Sequence, residues 1–320
     1  MNSNEQETDQ TPGEVKRSHY RKLLWIAGIS LYLGAVWTIG WERIRAAMKD
    51  VDGVTICVMV LVTLAALWIR ALKWRIALGP GNNSVGIFFL SKAAGEWSPA
   101  RMGEFSPLLI RKHRTARIAA WILVDRVLEM ASTVGIGLFG LAFVSLPNRS
   151  ALIVTGVLLC LGFAGALMVL ANASYWERLA SRITSKGRLQ NLVSLAPKVA
   201  REVRSFGSTA VYTGVLTLIA GILDVWAGRL LYVAFGYPIP MHVSAASKGI
   251  HAIVSAVPVT PNATGVPYFA AATLIHETGH VPTPVLAAGV ALGILLTNLL
   301  FWGSVGVGAA DFRKRASEVD

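Results

Sequence analysis

Long apolar runs separated by short polar segments set the pattern of this chain. Leu23–Trp41, Ile118–Leu146, Ala151–Ala171 and Pro284–Ala310 are each long enough to cross a hydrocarbon core, which takes about 20 residues as helix. Val54–Ile69 and Thr209–Val233 complete a set of six predicted crossings. A soluble helix keeps a polar stripe over such lengths, and these runs do not. Two further stretches, Ser84–Ile110 and Val243–Ile275, are apolar but interrupted by Gly and Pro, and each reads as a re-entrant pair of half-helices. The predicted fold class is an all-α polytopic membrane protein of about six full spans and two re-entrant broken-helix pairs.

The order of these elements is span, span, broken pair, span, and then the same again. The first unit starts on one side of the membrane and the second on the other, which reads as an inverted-topology repeat over 23–146 and 151–310. In such repeats the broken helices meet near the midplane and build a transport site. The transmembrane domain covers 23–310, with a polar tail at 1–22 expected to be disordered and a short tail at 311–320.

Composition agrees with lipid as the solvent: 54% of residues are hydrophobic and 15% charged, against about 25% charged in soluble domains. The formal net charge of +12 does not point to nucleic acid, because the basic residues fall mostly in the short segments between spans. Under the positive-inside rule they are orientation signals. The cluster Lys16/Arg17/Arg21/Lys22, the group Arg70/Lys73/Arg75, the run Arg111–Arg117, the segment Trp176–Arg204 and Arg313/Lys314/Arg315 then all face the cytoplasm, as do both termini. The expected location is the cytoplasmic membrane. Leu23–Trp41 has no small-residue cleavage site after it and reads as a retained first helix. Cys57 and Cys160 lie in apolar runs, where free cysteine behaves as a small buried hydrophobe.

Within this background the segment Gly95-Glu96-Trp97-Ser98-Pro99-Ala100-Arg101-Met102-Gly103-Glu104 stands out. It sets two acids and an arginine between apolar runs at a Pro/Gly break. Irregular backbone and charge at membrane depth persist only where protein or a wet cavity surrounds them. Arg101 is suited to phosphate, which a guanidinium fork holds with two parallel hydrogen bonds. The bland alternative is an Arg101–Glu104 pair at a helix start. Asp125, Arg126 and Glu129 follow about two turns into the next span, where Arg126 and Glu129 share a face at i, i+3 and either pair with each other or line a cavity. Asp224 and Arg229 repeat the feature in the fifth span, with Arg229 able to snorkel and Asp224 able to carry a proton or ion. Lys248 and His251 would add positive charge from the second broken stretch.

These residues carry a family resemblance. Arg70-Ala-Leu-Lys-Trp-Arg75, then Pro99-x-Arg101-x-Gly103-Glu104, then Arg111, then Asp125-Arg126 with Glu129, resemble the membrane region of lysylphosphatidylglycerol synthases and the stand-alone flippase-like proteins related to it. The resemblance implies a helical membrane domain that moves or holds a polar-headed lipid, with Arg101, Glu104, Arg111 and Arg126 near the headgroup path. A later family segment, Thr-Pro-Gly-Gly-x-Gly-x-x-Glu, is kept only as Thr260, Pro261 and Gly265, since Asn262, Ala263 and Tyr268 replace two glycines and the acid. Pro107 stands where the family has an arginine shortly after Gly-Glu. The soluble aminoacyl-transferase domain of the synthases is not expected within these 320 residues.

His276-Glu277-Thr278-Gly279-His280 matches H-E-x-x-H, in which two histidines on one helical face bind zinc and the glutamate activates water. A continuous helix is required, yet Gly279 lies inside the motif and Pro282 and Pro284 follow. No Walker loop or dinucleotide fingerprint is present, and no cofactor is expected. The sequence-level expectation is a flippase or transporter of a polar-headed phospholipid. Its substrate contacts would come from Arg101, Glu104, Arg111, Asp125, Arg126, Glu129, Lys248 and Thr260. The alternatives are a lipid-headgroup transferase, a zinc protease at His276/Glu277/His280, or a non-catalytic membrane partner of a separate synthase. The expected partners are membrane lipids, with no nucleic acid.

Overall fold

A computed structural model describes residues 37, 40–79, 83–96, 99–109, 115–146, 148–182, 188–255 and 266–317. Among them the fold is all helix, with no strand. The predicted first span lies almost wholly outside the described residues. The chain then runs through α1 (Trp41–Lys49), α2 (Gly53–Leu78), α3 (Ser84–Glu96), a 3-10 helix (Pro99–Leu109), α4 (Ala116–Ala142) and α5 (Arg149–Leu170). It continues through α6 (Ala173–Arg182), α7 (Arg188–Ser205), α8 (Gly207–Ala234), α9 (Met241–Ser255), α10 (Val266–Gly279) and α11 (Thr283–Ser317).

Four of these helices are long and apolar enough to cross a membrane: α2, α5, α8 and the Thr283–Gly303 part of α11. The 27-residue α4 has the length, but Asp125, Arg126 and Glu129 interrupt its apolar sequence. Large apolar side chains point outward from these helices, among them Leu61 and Leu72 on α2, Leu158 and Met168 on α5, and Tyr212 and Ile222 on α8. Water would not tolerate so much apolar surface, whereas lipid does. On α5 only Gly156 is buried, so this helix presents an apolar surface on nearly every side. Cys57, expected to be buried, is exposed on α2, and both cysteines are free.

Local chemistry sets the helix ends. The Asp52 carboxylate caps α2, accepting from the backbone N–H groups of Val54 and Thr55 at 3.1 and 3.2 Å. The helix stops at Gly79, which takes a φ of 85° that residues with a Cβ rarely adopt. Thr115 caps α4 by accepting from the Ile118 N–H at 3.2 Å. The second span was expected to end at Ile69, but α2 continues through Arg70, Lys73 and Arg75 to Leu78.

Packing sorts the described helix ends into two groups. Ile44, Val144, Ile239, Val281 and Val285 share one hydrophobic core, while Leu78, Ile87, Ile118, Val203 and Phe206 share another. The end of α2 adjoins the start of α4, where the Arg117 guanidinium donates to the Ala77 carbonyl at 3.0 Å. The intervening α3 and 3-10 helix pack on each other. The α9–α10 pair lies between the end of α8 and the start of α11, both in the opposite core.

Helices α2 and α8 pack along each other antiparallel, with the Asp52 N–H donating to the Ala234 carbonyl at 2.9 Å near one end and Lys73 Nζ reaching Thr217 Oγ1 at 3.2 Å farther along. Helix α4 packs on α9, and α11 packs on α3. Backbones touch at the α4–α9 crossing, where a Cβ added to Gly137 would come within 2.2 Å of the Gly249 Cα. Only glycine permits that approach.

Candidate functional site

Ionisable side chains from α2, α3, the 3-10 helix, α4, α8 and α9 converge inside the bundle. On α2 the helical repeat sets Arg70, Lys73, Trp74 and Ala77 on the inward face and turns Arg75 outward. Lys73 Nζ meets Asp125 Oδ1 at 2.5 Å and Glu129 Oε1 at 3.1 Å. The Trp74 indole N–H donates to Asp125 Oδ2 at 2.8 Å. Trp74 is held edge-on by Phe88 and Trp121, with ring centroids 5.8 and 6.4 Å away.

Lys92 enters from α3. Its ammonium donates to Glu129 Oε2 at 2.7 Å and lies 3.6 Å from Glu104 and 3.8 Å from Asp125. Glu104 reaches this point because Gly95 leaves room for it: a Cβ on Gly95 would sit 2.5 Å from Glu104 Cγ. The Ser91 hydroxyl ties the two elements by donating to the Glu104 carbonyl at 2.7 Å. Arg126 closes this side, 3.3 Å from Glu104 and 3.7 Å from Glu129.

A second group sits at the α2–α8 contact. Arg70 donates to both oxygens of Asp224, at 3.3 and 2.5 Å, and lies 3.8 Å from Glu129. Lys248 from α9 pairs with the same Asp224 carboxylate. Arg70 therefore joins the two groups. Exposure divides the network: the Lys73 and Asp125 side chains are 0% and 2% exposed, whereas Arg70, Asp224, Lys248 and Arg126 are 21%, 17%, 27% and 27% exposed. The first pair is sealed by protein, and the other four keep part of their surface uncovered.

The arrangement can hold an anion. Arginine forks and ammonium groups supply charge-assisted donors, and the carboxylates balance them when no ligand is bound. Burying so many charges is costly unless each is paired, and pairing is what the bundle provides.

The structure joins Glu104, Asp125, Arg126, Glu129 and Lys248 of the sequence-derived candidates in one network. Arg111 and Thr260 lie outside the described residues, and of Arg101 only the backbone is described, in the 3-10 helix. Glu104 pairs with Lys92 and Arg126. Arg126 and Glu129 do pair at i, i+3, but inside the wider network. Arg229, by contrast, donates to the Ile239 carbonyl at 3.0 Å, and the His251 ring meets Tyr268 edge-on at 4.7 Å.

Sequence reasoning overlooked Lys92 and treated Arg70 and Lys73 as loop charges. The i, i+3, i+4 spacing of Arg70, Lys73 and Trp74 was the available signal, since it places both cations on the face that buries Trp74. Lys92 had no such signal, because its partners come from other elements.

The H-E-x-x-H stretch does not form a two-histidine helical face. Helix α10 ends at Gly279, and His280 follows with a φ of 51°. His276 Nδ1 is already 2.8 Å from the Val281 carbonyl. Among the described residues no group of three or more His, Cys, Asp and Glu side chains is spaced to hold a metal ion.

A family model described as "Lysylphosphatidylglycerol synthase TM region" matches residues 25–305 of the chain. No curated protein and no solved structure matches it.

Proposed function

Because this chain belongs to the lysylphosphatidylglycerol synthase transmembrane-region family, we propose that it moves a polar-headed phospholipid between the leaflets of the cytoplasmic membrane. The observation that carries this reading is the charge network itself. It lies inside the bundle, draws on elements from both halves of the chain, and is sealed at Lys73–Asp125 but reachable at Arg126, Arg70 and Lys248. Such a site offers a phosphate headgroup a polar path while the acyl chains stay beside the apolar outer surface.

In this reading 23–146 and 151–310 are inverted repeats. The reciprocal packing of α4 on α9 and α11 on α3, with α2 against α8 at the centre, supports it. The α3/3-10 pair and the α9/α10 pair, each returning to the end it left, are the re-entrant elements. Both termini face the cytoplasm, and rocking of one repeat on the other exposes the network to alternate leaflets. Arg101 holds the phosphate, Glu104 balances the cations Lys92 and Arg126 beside it, and Arg111 and Arg126 set the field at the entrance, while Asp125 stays with Lys73 in the sealed part. The partners are membrane lipids.

Reconstitution into vesicles with headgroup-labelled phospholipid tests the proposal. Wild-type protein is expected to expose inner-leaflet label to an impermeant quencher, and Arg126→Gln to slow that exposure about tenfold. Absence of protein-dependent exchange for every phospholipid tried, with a chemically altered lipid recovered instead, would point to a headgroup-modifying enzyme.

A further inference from the structure

Asp224 occupies the position of a ligand. Its two oxygens face the two terminal nitrogens of the Arg70 guanidinium, and the Lys248 ammonium completes the cradle. That is the donor set with which proteins hold a phosphate oxygen pair, because an arginine fork fits carboxylate and phosphate alike. We infer that Arg70 and Lys248 form a phosphate-binding subsite, separate from the Glu104–Arg126 side of the network, and that the Asp224 carboxylate is its resident stand-in when no phosphate is bound.

Two features support the assignment. The three side chains are 17–27% exposed, in contrast to the sealed Lys73–Asp125 pair, so an incoming anion can reach them. The three residues also come from α2, α8 and α9, two long helices and the first helix of the α9–α10 pair. Exchanging the internal carboxylate for an external phosphate changes the ionic tie between α2 and α8, because that tie is the Arg70–Asp224 pair itself. Entry of the anion thereby loosens a contact between the two halves.

The internal carboxylate competes with the ligand. Removing its charge without changing its shape takes the carboxylate from Lys248, leaves Arg70 only Glu129 at 3.8 Å, and raises phosphate affinity. Removing either cation lowers it. That the phosphate arrives on a lipid rests on the transport reading above, and the experiment separates the two.

Full-length protein in a phosphate-free sugar detergent is titrated with fluorescently labelled phosphatidylglycerol, and separately with inorganic phosphate as competitor. Asp224→Asn is expected to bind the labelled lipid about tenfold more tightly than wild type, and Lys248→Gln and Arg70→Gln about tenfold more weakly. Unchanged or weakened binding in Asp224→Asn, or wild-type binding in Lys248→Gln, overturns the subsite. If Asp224→Asn does not fold, Asp224→Glu, which keeps the anion, must bind no tighter than wild type while Lys248→Gln still weakens binding. Failure of either overturns it as well. Inorganic phosphate bound with this variant order while the lipid is not would keep the subsite and reject lipid as cargo. Leaflet exchange by wild type, with binding indifferent to all these variants, would keep the transport reading and reject the subsite.

Discussion

Arg70 and Asp224 face each other across the antiparallel contact of α2 and α8, joined by two guanidinium hydrogen bonds at 3.3 and 2.5 Å. The pair ties two long apolar helices at a depth where a lone charge is costly. Arg70 lies eight residues before the end of α2, about 12 Å at the rise of an α-helix. Its position beside Glu129 makes it the link between the α8–α9 charges and those of α3 and α4.

The sealed pair should behave as structure. Replacing Lys73 by Met leaves Asp125 buried with its closest cation gone, and breaking a buried pair in this way costs about 3–5 kcal/mol. Unfolding of the purified protein in detergent is expected to show that loss. The double variant Lys73→Met/Asp125→Leu should recover part of it, because two apolar groups need no counter-charge. A double variant as unstable as the sum of the singles would contradict the pairing.

The α4–α9 crossing depends on two glycines. Gly249→Ala puts a Cβ 2.3 Å from the Gly137 Cα, so the helices must separate. Overpacking of this kind costs about 1–3 kcal/mol. Gly135, on the same helix, has open space where its Cβ would stand, and Gly135→Ala is the matched control. Lower thermal stability for Gly249→Ala alone is the expected outcome.

Asp52 gives a pH-dependent cap. The Thr55 hydroxyl, and then the Val54 N–H, hold its carboxyl below the usual carboxylate range. A lowered folded value means the cap contributes fully above the unfolded value, about 3.9, and fades as pH falls through the folded one. Melting temperatures of wild type and Asp52→Ala should therefore differ at neutral pH and converge in acid. A gap that persists at low pH would place the cap's effect elsewhere than in the charge.

The H-E-x-x-H stretch offers a contrast. His280 lies beyond the end of α10, so His280→Ala is expected to leave lipid exchange at the wild-type rate. Stoichiometric zinc in the purified protein, lost together with activity in this variant, would revive the metalloprotease reading.

Much of this was legible in the amino-acid pattern. Uniformly apolar runs announced α2, α5, α8 and α11, and Gly and Pro placed the breaks near Pro99 and before α10. Asp125, Arg126 and Glu129 declared themselves as charges in an apolar span. The sequence misled where a charge is compensated at long range. Arg70 and Lys73 looked like the edge of the membrane because their partners, Asp224 and Asp125, are 154 and 52 residues away. The role of Lys92 is likewise set by packing between elements, which one-dimensional periodicity does not carry.

In the proposed function the accessible charges of the network carry the lipid headgroup while the sealed ones hold the bundle together. Glu129 sits at the junction, touched by Lys73, Lys92, Arg70 and Arg126. The most direct measurement is the rate of labelled-phospholipid exchange in vesicles holding equal amounts of folded wild type, Arg70→Gln and Arg75→Gln. Arg75 is the outward-facing neighbour on the same helix. A rate reduced about tenfold or more is expected in Arg70→Gln, and an unchanged rate in Arg75→Gln. Wild-type exchange in Arg70→Gln, or equal loss in both, would contradict the proposed function.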